Sequence, residues 1–353
     1  MSLTAFTEEE LEALEHKWTL PRFVFFPAGL VGLWSIGHPW PIDHWSVVLG
    51  WQFYTAYILF CWTSCFHETA HQTLTGSQRL SVWLGRGLGC IIGAPYTVYR
   101  ESHIRHHAYL NKPSDWELWP YSDPNASLAF RRVFVWLDLF FGALTSPYIY
   151  GRIFFHRDSP IKSPQLRRQI RLEYAGVALF WGSVLAAIAW SGEWLDFLQV
   201  WVVPHLLAGM YQNGRKLTEH LGMASYDPLL GTRTVIGDNF LTRICTYMNF
   251  DIFVHGPHHR HPRIAHDQLK AKMQEYLAEN PDQKYPVFAS YWQATAQMVP
   301  WLFRNPGVGM NVGAARPGAE RERDVLNFVA DVTDELLADS ERAAEERPLR
   351  RAA

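Results

Sequence analysis

Nine histidines fall into four short groups whose spacing suits metal binding. The groups are His67 and His71; His103, His106 and His107; His220; and His255, His258 and His259. Residues i, i+3 and i+4 of a helix share one face, so the members of the first two groups can direct their imidazoles to one point. Imidazole binds Zn, Cu, Fe and Ni alike. The pattern predicts a metal site and leaves the metal open.

Nine imidazoles are more than one metal ion takes. A structural zinc has four ligands and a catalytic zinc has about three. Nine histidines divide naturally over two ions, with about four or five each. We predict that the remaining histidines bind no metal, and His261 lies nearest to a predicted group. They are His16, His38, His44, His156, His205, His261 and His266.

A histidine that binds metal through one ring nitrogen needs a hydrogen-bond acceptor for the other. Five carboxylates lie close enough in sequence to serve: Glu68, Glu101, Asp115, Glu219 and Asp251. Pro257 makes a regular helix interior doubtful, so we expect the last histidine group to begin at a helix N-terminus.

Four stretches without Asp, Glu, Lys or Arg must position these groups. They cover residues 23–42, 45–66, 174–192 and 197–213. A helix needs about 20 apolar residues to cross a bilayer core, so the first three are long enough and the fourth is marginal. The stretches predict an all-α integral membrane protein, with four transmembrane helices in two hairpins. A helical cap on the cytoplasmic side would carry the histidines.

The positions of basic residues predict the orientation. The outer connections 37–44 and 191–195 hold no Lys or Arg. The inner ends are flanked by Lys17, Arg22, Arg152, Arg157, Lys162, Arg167, Arg168, Arg171, Arg215 and Lys216. Basic residues concentrate on the cytoplasmic side of membrane proteins, which places the histidine groups there. The alternative is a soluble all-α protein with buried core helices.

The chain divides into three parts by composition. We predict that residues 1–22 form a cytoplasmic N-terminal segment that is not a signal peptide, residues 23–304 the membrane domain, and residues 305–353 a charged C-terminal tail. The tail contains a candidate amphipathic helix at 325–337. Within the domain, the segments 80–98, 133–150 and 235–254 predict re-entrant or interfacial helices.

Composition excludes other classes of protein. The 32 Lys and Arg against 34 Asp and Glu, a net charge of −2, indicate no binding of nucleic acid. The four cysteines make a disulfide framework improbable, since two of them lie in an apolar stretch.

The order HxxxH, HxxHH and a later HxxHH resembles the integral-membrane fatty acid desaturase superfamily over about residues 45–269. The sequences His67-Glu68-Thr69-Ala70-His71 and HIRHHAYLNKPSD carry the likeness. The resemblance implies that the eight box histidines bind a non-haem di-iron centre and that His220 is the additional ligand. Stearoyl-CoA desaturases have an Asn four residues before that histidine, where this chain has Lys216; Asn213 lies nearby.

The resemblance further implies a membrane enzyme that uses O2 to introduce a double bond into a fatty acyl chain. An unactivated methylene does not yield to acid–base groups, so a metal centre must do that chemistry while the protein binds and orients the substrate. A hydroxylase or ketolase of the same architecture, acting on a carotenoid, acyl chain or alkane, is the first alternative.

Two other functions fit the residues less well. HETAH also satisfies HExxH, the zinc hydrolase motif in which Glu68 would be the general base. A metal transporter would carry ionisable residues through its spans, and these contain few beyond His38, His205 and the edge residue Asp196.

Reduction of O2 requires electrons from outside the chain. The sequence has no iron–sulfur cysteine spacing and no dinucleotide fingerprint. We therefore expect a ferredoxin or a cytochrome b5-like donor with its reductase. A basic patch could receive the donor or contact lipid head groups: Arg131, Arg132, Arg167, Arg168 and Arg171.

Aromatic residues surround the second histidine box. They are Tyr96, Tyr99, Tyr109, Trp116, Trp119 and Tyr121. Such residues form belts at membrane interfaces, and we favour a belt over the mouth of an acyl tunnel.

Overall fold

The computed structural model describes residues 45–75, 77–262, 264 and 266–317. The N-terminal segment 1–22, the predicted first span 23–42 and the tail helix 325–337 lie outside the described residues. The described part is predominantly helical, which confirms the predicted all-α class.

The α-helices are α1 (Trp45–His71), α2 (Gln78–Ile92), α3 (Tyr96–Ala108), α4 (Leu128–Phe140), α5 (Gly142–Phe155), α6 (Pro164–Ser191), α7 (Trp194–Phe197), α8 (Val203–His220), α9 (Pro228–Gly231), α10 (Phe240–Met248), α11 (His255–Arg260), α12 (Leu269–Glu279) and α13 (Tyr291–Arg304). A π-helical segment, Leu198–Val202, joins α7 to α8, and 3-10 turns cover His266–Gln268 and Gly309–Val312.

Helices α1 and α8 run parallel and end at the same level. Trp51 Nε1 donates to Val200 O at 3.4 Å, and Thr63 Oγ1 donates to Gln212 Oε1 at 2.6 Å. Both contacts join residues 149 positions apart, so the register is constant along the pair. The same offset separates His71 from His220, which are the last residues of the two helices.

Helix α6 is the longest apolar helix of the described part. Ser163 caps its start by accepting from Leu166 N, Pro164 occupies the first position, and Gly192 ends it in the left-handed conformation (φ 79°). Leu179 and Trp190 are 73% and 94% exposed. Exposed apolar surface of this extent marks a contact with lipid or with another protein.

By length and hydropathy, α6 is the one described helix that could cross a membrane by itself. Helices α4 and α5 could form a second span only as a pair bent by 120°. The predicted spans 45–66 and 197–213 are helical, but neither meets the combined length and hydropathy requirement by itself. The predicted four-span topology therefore goes beyond what the described helices show.

The three intermediate segments are not single helices. Residues 80–98 cover parts of α2 and α3, separated at Gly93 (φ 75°). Residues 133–150 contain the sharp bend between α4 and α5, where the chain packs closely on α8. A methyl group on Gly142 would overlap the Gly209 carbonyl, and one on Gly209 would overlap the Ala143 nitrogen. Residues 235–254 contain α10 and a turn region at 249–253 rather than one interfacial helix.

Two short strands fix the start of α11. The strands β1 (Thr234–Val235) and β2 (Val287–Phe288) are parallel and pair Thr234 with Val287. Val235 N donates to Phe253 O at 2.7 Å, and Gly256 N donates to the Thr234 hydroxyl at 2.9 Å. The last histidine group therefore begins at a helix N-terminus, as predicted from Pro257.

A buried arginine caps the end of α8. Arg233 is 1% exposed, and its Nη1 donates to the carbonyls of Thr218 and Leu221 at 2.9 and 2.8 Å. Its Nε donates to Gln297 Oε1 of α13 at 2.6 Å. One side chain thus satisfies carbonyls that the helix end leaves without an intrahelical donor and ties α8 to α13.

Candidate metal centre

Five histidines from three helices form the first cluster. They are His67 and His71 at the end of α1, His103 and His107 of α3, and His258 of α11. One ring nitrogen of each lies within 4.8 Å of the corresponding atom of every other member. His103 Nε2 is 3.1 Å from both His71 Nε2 and His107 Nε2. All five side chains are buried.

The other four predicted histidines form a second cluster. His106, His220 and His259 bring their ring nitrogens within 4.8 Å of one another. His255 Nε2 lies 2.8 Å from His220 Nε2 and 3.0 Å from His259 Nε2. The two clusters adjoin, because the rings of His107 and His259 stack with centroids 4.1 Å apart. The structure thus brings all nine predicted histidines together in a five and four division.

The donor atoms of the first cluster suit a bound cation. His67 Nε2 and His258 Nε2 are buried and have no hydrogen-bond partner within the described part of the chain. His103 Nε2 faces two further Nε2 atoms, while its Nδ1 is engaged elsewhere. Inward lone pairs that no donor satisfies are costly in a protein interior. A metal ion between them would satisfy these nitrogens at once.

The imidazoles of His107, His258 and His259 are in the uncharged form that binds metal. The pKa values of His107, His258 and His259 lie well below their ordinary value of 6.5. Burial is the first cause, because it removes the solvent that stabilises a charged ring, and neighbouring imidazoles are the second. These side chains keep a lone pair available at neutral pH.

Four acceptors fix the outer ring nitrogens. Each Nδ1–H donates, so each Nε2 points into the centre. The pairs are His67 with Glu68 Oε1 at 3.1 Å, His103 with Glu117 Oε2 at 3.1 Å, His106 with Asp115 Oδ2 at 2.8 Å, and His255 with Ile252 O at 3.2 Å. Two of the five expected carboxylates, Glu68 and Asp115, form the expected hydrogen bond to the outer nitrogen of a clustered histidine.

The other three expected carboxylates have different partners. Glu101 binds Arg105 at 2.7 Å, and Asp251 binds His266 at 2.9 Å. Glu219 lies inside the centre, with Oε2 3.6 Å from His255 Nε2. Glu117 was missed in the sequence because it stands ten residues after the second box, on a loop whose path no periodicity predicts. Its only sequence signal is its place two residues after Asp115.

Three histidines outside the clusters have other contacts. His261 Nε2 pairs with the Tyr276 hydroxyl at 2.5 Å, and His266 is bound to Asp251. His205 lines a cavity beside the clusters. None of the three belongs to the histidine clusters among the described residues.

The contacts of Glu68 oppose the zinc hydrolase reading of HETAH. One carboxylate oxygen accepts from His67 Nδ1, and the other accepts from the Thr73 hydroxyl at 2.6 Å. A general base must reach the reacting proton directly or through one water. Glu68 instead accepts a hydrogen bond from the outer ring nitrogen of His67 and so orients that histidine.

Lys216 and Asn213 both bind one buried aspartate. Lys216 Nζ lies 2.8 Å from Asp138 Oδ2, and Asn213 Nδ2 donates to Asp138 Oδ1 at 2.7 Å. The hydroxyls of Tyr121 and Thr145 donate to the same carboxylate. The position that is Asn in stearoyl-CoA desaturases therefore forms a buried ion pair that joins α8 to the α4–α5 bend.

The aromatic and basic groups are more buried than the sequence suggested. Tyr96, Tyr99 and Tyr121 lie in the core, so the favoured interfacial belt is wrong for these three. Arg131 is buried, and Arg167 Nη1 donates to the carbonyls of α5 and the following turn. Of the proposed basic patch, Arg132, Arg168 and Arg171 are exposed.

A cavity leads from the clusters between α1, α5 and α8. Apolar side chains that include Phe66, Ile92 and Ile149 line much of it, and His67, His106 and His255 stand at its inner end. A second, mostly apolar cavity shares several lining residues with the first: Ile92, Ala143, Pro147 and His205. The two cavities therefore adjoin, and Trp181 of α6 lines the second.

Comparisons with known proteins agree with this arrangement. The dihydrorhizobitoxine desaturase of Bradyrhizobium elkanii is 29% identical over 240 residues, an alignment that covers 60% of this chain and 64% of that protein. The chain thus spans slightly less than two-thirds of this relative. The family model described as fatty acid desaturase matches residues 43–292, which contain all nine clustered histidines. By that match, the chain belongs to the fatty acid desaturase family.

Proposed function

We propose that this protein is a membrane-bound, O2-dependent oxidoreductase that holds two iron ions and introduces a double bond into a fatty acyl chain. The observation that carries the proposal is the pair of adjoining, buried histidine clusters. Each cluster would hold one ion. The ligands would be His67, His71, His103, His107 and His258 for one, and His106, His220, His255 and His259 for the other.

The protein's own residues supply orientation and a dry site. When bound, the iron ions would supply the activation of O2 that hydrogen removal from an unactivated methylene requires. Glu68, Asp115 and Glu117 hold imidazoles from behind, so the ligand nitrogens are preorganised. Phe66 and Ile149 would bind the alkyl chain next to the clusters and keep water out. The outer cavity beside α6 would admit a substrate from the lipid.

A multi-pass membrane topology is part of the proposal. Helices α1 and α8 are parallel, as the second and fourth spans of two consecutive hairpins must be. The outward faces of α1 and α6 leave large apolar residues exposed, among them Trp45, Phe53, Leu179 and Trp190. Burial of such surface in lipid is favourable by about 25 cal/mol per Å². The histidine clusters would lie on the cytoplasmic side, beside the basic ends of the helices.

A separate protein would deliver the electrons. A ferredoxin or a cytochrome b5-like protein with its reductase would fit, because the exposed Arg132, Arg168 and Arg171 would offer positive charge to an acidic donor. Mutation of that surface would change the association rate more than the affinity.

The experiment is product analysis in a host that expresses the chain, compared with the same host expressing His258→Ala. A new unsaturated acyl species with wild type, absent with the variant, is the expected result. An added oxygen on an acyl chain, alkane or carotenoid would instead indicate the hydroxylase or ketolase alternative with the same metal site. Equal amounts of an oxidised product from wild type and His258→Ala would contradict the ligand role of His258.

A further inference from the structure

Arg215 presents unused hydrogen-bond donors to the cavity beside the second cluster. The residue is 5% exposed and lines the same cavity as His106 and His255. Its Nη2 donates to Gln212 Oε1 at 3.2 Å. Its Nε and Nη1 are buried and have no hydrogen-bond partner in the part of the chain that the structure describes.

The neighbouring side chains do not satisfy this guanidinium. The Gln212 amide oxygen already accepts from the Thr63 hydroxyl at 2.6 Å. The nearest carboxylate oxygen, Glu219 Oε1, is 3.8 Å from Nη1, which is too long for a hydrogen bond, and it too has no donor among the described residues. A buried charge with unused donors is costly, so such a group calls for a ligand.

The guanidinium lies close to the second cluster. The Glu219 carboxylate links it to His255: Oε1 is 3.8 Å from Arg215 Nη1, and Oε2 is 3.6 Å from His255 Nε2. A long alkyl chain that passes the clusters would place bare methylenes against these N–H groups. An oxygen-bearing group at this position would satisfy them.

We propose that Arg215 binds a carboxyl or carbonyl oxygen of the substrate a few bonds from the carbon atoms that are oxidised. This inference rests on the proposed function and narrows its substrate class. The substrate is then a compound whose polar group enters the inner cavity, with its alkyl part along Phe66, Ile92 and Ile149. A long acyl chain that is oxidised far from any polar group does not fit.

The test is equilibrium binding of three probes with a ten-carbon chain: decanoate, methyl decanoate and decane. The full-length protein with its bound metal is placed in lipid nanodiscs under anaerobic conditions, so no turnover occurs, and binding to empty nanodiscs is subtracted. Arg215→Met should weaken the binding of decanoate, methyl decanoate or both by about 10- to 100-fold. Decane binding and iron content should be unchanged. Arg215→Lys should retain part of the preference for the oxygen-bearing probes over decane.

Arg157→Met is the matched control, because the Arg157 side chain is 89% exposed and pairs with Asp158. A loss confined to decanoate identifies a carboxylate, and a loss for both oxygenated probes identifies a carbonyl oxygen. Unchanged binding of both oxygenated probes to Arg215→Met would overturn the inference. Iron loss without a change in probe preference would also overturn it, because Arg215 would then serve only to hold Glu219. The probes report on Arg215 without turnover, so a failure of the proposed reaction is seen separately in product analysis.

Discussion

At the scale of single residues, the orientation of each imidazole depends on the group behind it. His103 Nδ1 donates to Glu117, so its Nε2 points at His71 and His107. We predict that Glu117→Gln weakens metal binding about 10-fold or more, as loss of such an outer carboxylate does in other metal sites. Competition with a chelator measures the affinity.

Glu275→Gln is the control for this substitution. Glu275 forms an exposed ion pair with Lys272 on α12, and exposed pairs contribute little to stability. We expect its metal affinity to equal that of wild type. An unaltered affinity for Glu117→Gln as well would show that Glu117 does not orient His103.

The histidines also set a pH dependence of stability. The pKa values of His107, His258 and His259 are far below 6.5 in the folded protein, first because burial disfavours the charged ring. Below pH 6.5 the unfolded chain therefore binds protons that the folded chain does not, so acid favours unfolding. Above that pH both states are neutral at these positions, and their contribution does not vary.

We predict that the melting temperature of the metal-free protein is steady near pH 8 and falls as the pH drops below about 6.5. Each of these histidines contributes up to about 1.4 kcal/mol per pH unit to the loss of unfolding free energy. His258→Gln should reduce the fall in melting temperature per pH unit. A melting temperature that is constant down to about pH 5 would show that these rings are protonated in the folded state.

At the scale of elements, the end of α8 depends on Arg233. This side chain donates to two α8 carbonyls and to Gln297. We predict that Arg233→Met lowers the free energy of unfolding by about 3 kcal/mol, because buried carbonyls are left without donors. Arg260→Met, which removes a partly exposed pair with Asp227, should cost about 1 kcal/mol or less. Equal melting temperatures for the two variants would refute the capping role.

The sequence predicted the helices that carry the first two histidine boxes because their spacing is a local property. The i, i+4 spacing of His67 and His71 and the spacing of the second box have meaning only on a helix face, and both lie on one. The bend at Phe141 was missed because it results from close packing of Gly142 on Gly209, two residues 67 positions apart. Glu117 was missed for a similar reason, since its loop is positioned by tertiary contacts.

At the scale of the whole molecule, the hydropathy pattern predicted more spans than the described helices show. Helix α6 meets the requirement by itself because its residues 174–191 carry no charge and include many Ala, Val and Leu residues. Helices α1 and α8 also carry polar residues of the site, among them Thr63, Gln212 and clustered histidines. These residues lower the hydropathy of the two helices. The mean hydropathy of a sequence window does not distinguish a helix that crosses a membrane from an amphipathic helix that carries site residues on one face.

Accessibility labelling tests the topology. In a cysteine-substituted protein, Ser191→Cys at the end of α6 should react with a membrane-impermeant maleimide in intact cells, because four spans place this turn outside. Arg157→Cys, at the opposite end, should react only after lysis. The unsubstituted protein, with its four native cysteines, gives the background. Labelling of both positions only after lysis would contradict the two-hairpin arrangement.

The measurement that tests the central claim most directly is the metal content of the purified full-length protein. Elemental analysis of wild type should give about two iron ions per chain, one for each histidine cluster. His258→Ala, in the first cluster, and His259→Ala, in the second, should each lose about one ion or more, whereas His261→Ala should keep both. One zinc ion per chain, or an iron content that neither cluster variant lowers, would contradict the account.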